Sequence, residues 1–391
     1  MRQRIVNLLK YNRVVYAVYY YLMSFCINVL KLFIRVDDKL ILFNSFAGRK
    51  YDDSPKAIFE EMKRDKRFEG YKIVWAFHEP DKFEVEGAEK IKTDCFKYFV
   101  TALKARVWVT NSSVERGLHF KRKKTFYLNT WHGTPIKKMG SDISSGNTSF
   151  DTKSAYNFDV MNAQSLFEAD VFSRCFKIPR ENFIEVGLPR NDALANYTEE
   201  QREELRRKLN IPTGKKVILY CPTFREYEKD EHLGVVLKPP MDLNKWEKEL
   251  GDEYVLLFRA HYEVSKVMDI KDGDFVRNAT DYPSLNDLMI ASDILLSDYS
   301  SVFFDYSIMD KCMIHFTYDY DKYNEQRGMY FDIREYLSGA ATEDGVIDYI
   351  KNMDYSSEVE KTRAFRDSFM NFYGSAAKKT VDCIAEHIGM K

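Results

Sequence analysis

Seven histidines occur in the chain, and two of them sit where a strand-like run breaks into a turn. The first is His132, within Thr125-Phe126-Tyr127-Leu128-Asn129-Thr130-Trp131-His132-Gly133-Thr134-Pro135. Gly133 and Pro135 force a sharp turn directly after the imidazole, which suits a general base at neutral pH. A lone histidine is more often structural, but this context and the basic residues around it favour chemistry. The second is His261, within Leu256-Leu257-Phe258-Arg259-Ala260-His261-Tyr262. There Arg259 can bind a phosphate bidentately and His261 can donate a proton to it.

Two further strand ends carry similar groups. Cys221-Pro222-Thr223-Phe224-Arg225 is one. The other is the stretch from Ser292 to Asp305, in which Ile294–Leu296 reads as a buried strand and Ser297 to Ser301 as a hydroxyl-rich turn. Val302, Phe303, Tyr306, Ile308 and Met309 then have the spacing of a helix's inner face, with Asp305 and Asp310 outside it. Strand, polar turn and helix together aim backbone N–H groups at one point, and a phosphate suits that point. The plainer reading is that Ser300 or Ser301 caps the helix. Four strand ends in the second half thus finish in polar groups: Thr223 and Arg225, Arg259 and His261, Asp281, and Ser300 with Ser301. Together they describe a site for an anionic ligand.

The elements that must position these groups alternate. Strands are expected at Lys39–Asn44, Tyr71–Phe77, Arg106–Asn111, Thr125–Leu128 and Phe183–Val186, and helices at Pro55–Asp65 (capped by Ser54), Cys95–Leu103 and Ala163–Phe176. Residues 141–157 are expected to form a mobile loop. After a charged helix at Glu199–Leu209 come strands at Val217–Cys221, Tyr254–Phe258, Phe275–Arg277, Ile294–Leu296 and Met313–Phe316. A long helix with a break near Gly374 closes the chain. This alternation predicts an α/β fold of two Rossmann-like domains facing each other across a cleft. The expected divisions are 1–37, an apolar helix; 38–195, an acceptor domain; 196–355, a donor domain; and 356–391, helices that cross back.

Composition narrows the function classes. A chain of 391 residues is too long for one ordinary core. Its net charge of −1 argues against a general nucleic-acid binder. Six scattered cysteines with no CxxC pair suggest neither zinc nor disulfides, and fit a reducing compartment. Paired acids in Tyr318-Asp319-Tyr320-Asp321 read as a solvated turn, not a cation site. Residues 1–36 carry six basic side chains and no acid, around an apolar run at 14–34. Lys31, Asn28, Ser24 and three consecutive tyrosines suit a headgroup interface better than a hydrocarbon centre. The favoured reading is an interfacial helix on an anionic membrane surface, the alternative an ordinary packed helix. The basic cluster Lys121-Arg122-Lys123-Lys124 with Lys137-Lys138 could guide an anionic acceptor, touch headgroups, or simply be solvated.

Five motifs in order, Trp131-His132-Gly133-Thr134-Pro135, Gly187-Leu188-Pro189-Arg190-Asn191-Asp192, Pro222-Thr223-Phe224-Arg225, Arg259-Ala260-His261 and Ser297-Asp298-Tyr299-Ser300-Ser301, resemble the CDP-glycerol glycerophosphotransferase family. The resemblance runs from about Lys39 to Asp332 and includes Asp52-Asp53-Ser54-Pro55-Lys56 and Arg327-Gly328-Met329-Tyr330-Phe331-Asp332. It implies a GT-B fold, peripheral attachment at the cytoplasmic face of the cell membrane, and a CDP-activated polyol phosphate donor. It also implies that His132 and His261 are the essential pair. Thr223, Arg259, Ser300 and Ser301 would hold the donor diphosphate, and Asp305 would bond the ribose or polyol. Gly133, Thr134, Pro135, Arg190, Pro222, Arg225, Ala260, Ser297 and Asp298 complete the implied substrate-binding set. The short amino end is closer to the small single-step transferases than to large polymerases.

The expected reaction is in-line attack on the β-phosphorus of CDP-glycerol with CMP leaving, His132 taking the acceptor proton. No cofactor or metal is expected. The acceptor would be a lipid-linked glycan, a polyol phosphate chain or a capsule unit. CDP-ribitol is an alternative donor; a non-catalytic nucleotide-binding membrane scaffold is the rival of another class, and a sugar-nucleotide glycosyltransferase a weaker third.

Overall fold

The computed structural model describes residues 12–143, 156–223, 225, 239–260 and 270–390, with the backbone of 229–230 and 234–235. Its core is two parallel sheets. The first has seven strands: β1 Asp37–Asn44, β2 Lys72–Phe77, β3 Glu89–Lys92, β4 Ala105–Thr110, β5 Phe126–Asn129, β6 Val160–Ala163 and β7 Phe183–Glu185, in the order β3-β2-β1-β4-β5-β6-β7. The second has six: β8 Lys216–Cys221, β9 Tyr254–Phe258, β10 Val276–Asn278, β11 Ile294–Ser297, β12 Cys312–Phe316 and β13 Ser338–Ala340, in the order β10-β9-β8-β11-β12-β13. Val-Ile-Leu-Tyr in β8 and Val-Leu-Leu-Phe in β9 are apolar without alternation, as strands covered on both faces require. Every pairing in both sheets is parallel, so all strand ends of a sheet emerge on one edge. In the second sheet β10, β9, β8 and β11 are consecutive neighbours. That adjacency brings the four polar strand ends side by side.

Several local expectations shift. The helix expected at Ala163–Phe176 forms at Leu166–Phe176, its first turn capped by Ser165, which accepts the Glu168 N–H at 3.0 Å, and an unexpected strand, β6, precedes it. Val-Met-Asn-Ala carries no strand signature of its own; neighbours on both sides recruit it. Ser54 is not a cap: the helix Asp53–Arg64 begins before it, and Ser54 is buried. The helix Val302–Ser307 has no outer face, because every one of its residues is buried, Asp305 included at 3% exposure. Of the loop expected at 141–157, residues 144–155 lie outside the described residues.

The amino-terminal helix, Arg13–Phe33, packs one face on the first domain through Ile27, Tyr19, Tyr20, Met23 and Leu30. Its other face leaves Val14, Val18, Tyr21, Leu22, Phe25, Leu32 and Phe33 exposed, each by more than half. Among the described residues no helix is long and apolar enough to cross a membrane. The basic cluster serves the fold instead of standing free: Lys121 pairs with Asp159 and Lys124 with Asp38. Arg122 donates to the carbonyls of Lys31 and Ile34, closing the helix's carboxyl end.

At the other terminus, Tyr355–Phe369 and Ala376–His387 are separate helices with Gly374 (φ +87°) between them. The second lies on the first sheet, where Val381, Ile384 and Ala385 join a core containing Ile41, Phe43, Val107 and Val109. Its amino end is capped from a distance. The Asp192 carboxylate accepts the Ala376 and Ala377 N–H groups at 2.8 and 2.7 Å. Asp192→Ala should therefore lower unfolding stability by about 1–2 kcal/mol in urea titration, with the folded far-UV spectrum retained.

Candidate active site

The two sheets meet along a seam at their carboxyl edges, and His132 stands on it. β5 ends at Asn129, whose side chain accepts the Trp131 N–H at 2.7 Å and turns the chain. Trp131 adopts φ +50°, costly for a residue with a Cβ, and Gly133 φ +143°, which glycine takes freely. The Trp131 ring stacks on the imidazole with centroids 4.5 Å apart. His132 Nδ1 lies 2.9 Å from the carbonyl oxygen of Asn111, at the end of β4. A carbonyl only accepts, so Nδ1 carries the proton and Nε2 keeps its lone pair.

That arrangement leaves Nε2 able to accept a proton. One face of His132 is open to water, while the surrounding protein penalises a charged ring and pulls its pKa below 6.5. The Asn111 carbonyl and Asp53 oppose that drop, and Arg190 and Arg49 add to it. The ring is thus neutral at pH 7, and the carbonyl stabilises the imidazolium that forms when Nε2 takes a proton.

The seam is closed by three sets of contacts. A Cβ on Gly133 would lie 2.6 Å from Ser301 Oγ, so the turn and the β11 loop touch backbone to side chain. Just downstream, Lys137 and Met329 form an antiparallel bridge, with Tyr330 N–H donating to Ile136 O at 2.8 Å and Lys138 N–H to Gly328 O at 3.0 Å. The Arg-Gly-Met-Tyr-Phe-Asp motif is therefore a clasp on the histidine turn. Third, Arg190 donates to Asp53 Oδ2 at 2.8 Å and to Asp305 Oδ2 at 2.6 Å. Asn191 adds a bond to Asp305 Oδ1 at 2.7 Å. Asp305 and Arg190 are thus engaged with each other, and both oxygens of Asp305 are taken by protein donors.

On the second domain the predicted residues divide into braces and open donors. Arg225 is buried, bonded to Asp319 through Nε and Nη2 at 2.7 and 2.8 Å and paired with Asp298 at 2.9 Å. Tyr299, Tyr318 and Tyr323 surround its guanidinium. Asp298 accepts the Thr223 and Tyr299 N–H groups as well. Asp319 is hence an ion-pair partner in the interior, not part of a solvated turn. Ser297 donates to the Cys221 carbonyl, and Pro222, Thr134 and Pro135 are buried.

Other groups remain open. The Thr223 hydroxyl has no partner among the described residues. Arg259 is held by the Ala279 and Tyr282 carbonyls, and no carboxylate among the described residues pairs with it. Burial lowers its pKa, while Cys221, Asp52 and Asp281 favour its charge. Asp52 belongs to the first domain, so Arg259 too faces the seam. Ser300 accepts the Val302 N–H at 3.3 Å, and Ser301 begins the helix without capping it. Ala260 is half-buried beside Arg259, Asp281 is exposed at the end of β10, and His261 lies outside the described residues.

Some groups at the site carry no signal in the sequence. Asn111 acts through a backbone carbonyl, which any residue type would supply. Glu168 reads as an ordinary acid in a helix's first turn, yet it is buried, and so are Gln164 and Asn191.

Two parallel sheets with a titratable turn facing cationic and hydroxyl donors give a GT-B-like fold with a polar seam. The model for CDP-Glycerol:Poly(glycerophosphate) glycerophosphotransferase matches residues 26–386, and the chain belongs to that family. It is 36% identical to a teichoic acid poly(glycerol phosphate) polymerase of Staphylococcus epidermidis over 90% of its own length and 51% of the relative's. It thus spans about half of that protein. It is 31% identical to a teichoic acid glycerol-phosphate transferase of Staphylococcus aureus, covering 90% of this chain and 94% of the relative. A solved structure of the wall teichoic acid polymerase TagF, a histidine variant soaked with CDPG, superposes with TM-score 0.84 at 33% identity, covering 93% of each chain.

Gly133→Ala should abolish most activity, since the new methyl would meet Ser301 Oγ at 2.6 Å in a backbone conformation that alanine avoids; the check is turnover of a variant whose melting temperature is unchanged. For a base at His132, whose pKa is lowered, the acid limb of the kcat/KM profile should fall below pH 6.5.

Proposed function

We propose that the chain transfers glycerol phosphate from CDP-glycerol to a hydroxyl of a teichoic acid-type acceptor, releasing CMP. The observation that carries this reading is a histidine whose Nδ1 proton is held by the Asn111 carbonyl, on the turn that touches Ser301, in a seam with Thr223 and Arg259, which have no carboxylate partner among the described residues. His132 takes the proton of the acceptor hydroxyl as its oxygen attacks the β-phosphorus in line. The bond from that phosphorus to the bridging oxygen breaks, and CMP leaves. Arg259, Thr223, Ser300 and Ser301 hold the diphosphate, and Arg259 offsets the charge growing on the leaving group. His261 follows Arg259 by two residues and is assigned to the same diphosphate. The account needs no metal ion, so EDTA should leave turnover unchanged.

The acceptor is read as membrane-linked. The exposed apolar stripe from Val14 to Phe33 supports a helix that lies in the headgroup layer without spanning it. On that assignment the chain sits at the cytoplasmic face of the cell membrane.

His132→Asn should reduce CMP release by roughly three orders of magnitude or more, while calorimetry finds CDP-glycerol bound as tightly as by wild type. Turnover within a few-fold of wild type would remove His132 as the base. Running the same assay with CDP-ribitol, and weighing each product by mass spectrometry, identifies the donor.

A further inference from the structure

We propose that Glu168 is a positioning residue for the transfer step, fixing the His132 turn through the Thr134 hydroxyl and tying that turn to Asp305 on the donor side. The inference rests on the reading of His132 as the base. Its ground is a buried line of hydrogen bonds that runs outward from Asn191 to an acceptor at each end. The Asn191 amide donates to Asp305 Oδ1 at 2.7 Å and to Gln164 Oε1 at 2.9 Å. The Gln164 amide donates to Thr134 Oγ1 at 2.8 Å, and Thr134 donates to Glu168 Oε1 at 3.0 Å. Glu168 Oε2 accepts the Gln164 backbone N–H at 2.6 Å. Each amide and hydroxyl in the line is oriented by its neighbour, and only an acceptor can stand at either end.

The placement of this line is what links it to catalysis. Thr134 is two residues from His132, across a glycine whose backbone has no steric room to shift toward Ser301. On its other side the imidazole is held by the Asn111 carbonyl. The turn is therefore pinned at both ends, and Glu168 is the pin on the Thr134 side. No cation pairs with Glu168 among the described residues, and it is fully buried. A carboxyl kept there at such cost is ordinarily replaced by an apolar side chain unless its oxygens are needed. Burial raises its pKa to about 7, the Gln164 N–H and Thr134 O–H draw it down, and Asp305 and Arg190 act in opposite senses. Either protonation state leaves an oxygen to accept the Thr134 proton, so the positioning does not depend on pH.

A role confined to stability would change melting temperature and leave the turnover of folded enzyme alone. Positioning predicts a split in the kinetic constants. Thr134→Val keeps the shape and removes the hydroxyl; its kcat should fall roughly ten- to a hundredfold, with KM for CDP-glycerol within about twofold of wild type. Thr134→Ser should restore kcat to within about threefold, and Glu168→Leu, which removes both acceptor oxygens, should resemble Thr134→Val. Should Glu168→Leu fail to fold, the Thr134 pair carries the test. Unchanged kcat in folded Thr134→Val, or a KM that rises in step with the loss, overturns the proposal while leaving the proposed function standing. A wild-type chain that turns over no CDP-glycerol overturns that function, and this inference with it.

Discussion

The Arg190 guanidinium, held between Asp53 of the first domain and Asp305 of the second, is the interaction on which the site depends. Both carboxylates are almost fully buried, and together they keep the guanidinium charged against the burial that opposes it. Such a triad adds little net stability over an apolar replacement, but losing one member strands a charge in the interior at a cost of about 3–5 kcal/mol. Its value lies in geometry. A planar fork with two fixed acceptors allows one relative placement of the domains, and that placement brings the Gly133 turn onto Ser301.

Everything around the triad narrows the same freedom. The bridge between Lys137 and Met329 clamps the chain immediately after the histidine turn. Arg225, tied to Asp298 and Asp319 and enclosed by three tyrosines, stiffens the loops after β8 and β11 from within the second domain. The helix Ala376–His387 returns to the first sheet, capped by Asp192, only two residues from Arg190 in sequence. One short segment thus links the domain-spanning ion pair to the chain's closing helix. Against this framework, the Thr223 hydroxyl and the Arg259 guanidinium stand out as groups with no carboxylate partner among the described residues.

The alternation of strands and helices was legible because buried parallel strands leave continuous apolar runs, and the order of motifs foretold which loops would share an edge. The strands with weak local patterns were not legible: Val160–Ala163 and Ser338–Ala340 exist because neighbouring strands offer them partners. At the site, residue types indicated which groups were polar and near one another, but not which were already spent. Asp305, Arg190, Arg225, Asp298 and Thr134 resemble ligand contacts in the sequence and are bonded to protein in the fold. That distinction depends on pairings between distant residues, 34 positions apart for Thr134 and Glu168 and 115 for Arg190 and Asp305, and no local pattern encodes it. The basic run at 121–124 shows the same limit, since its partners are Asp159, Asp38 and two helix carbonyls.

In the proposed function this seam holds a neutral imidazole opposite the reacting phosphorus of a cytidine diphosphate ester. A crystal structure of the His132→Asn variant with CDP-glycerol bound should show the diphosphate in contact with Arg259, Thr223 and the Ser300–Ser301 turn, with the β-phosphorus facing residue 132 and the Arg190 triad intact. A nucleotide bound elsewhere, or a β-phosphorus turned away from residue 132 with both domains in the same arrangement, would contradict it.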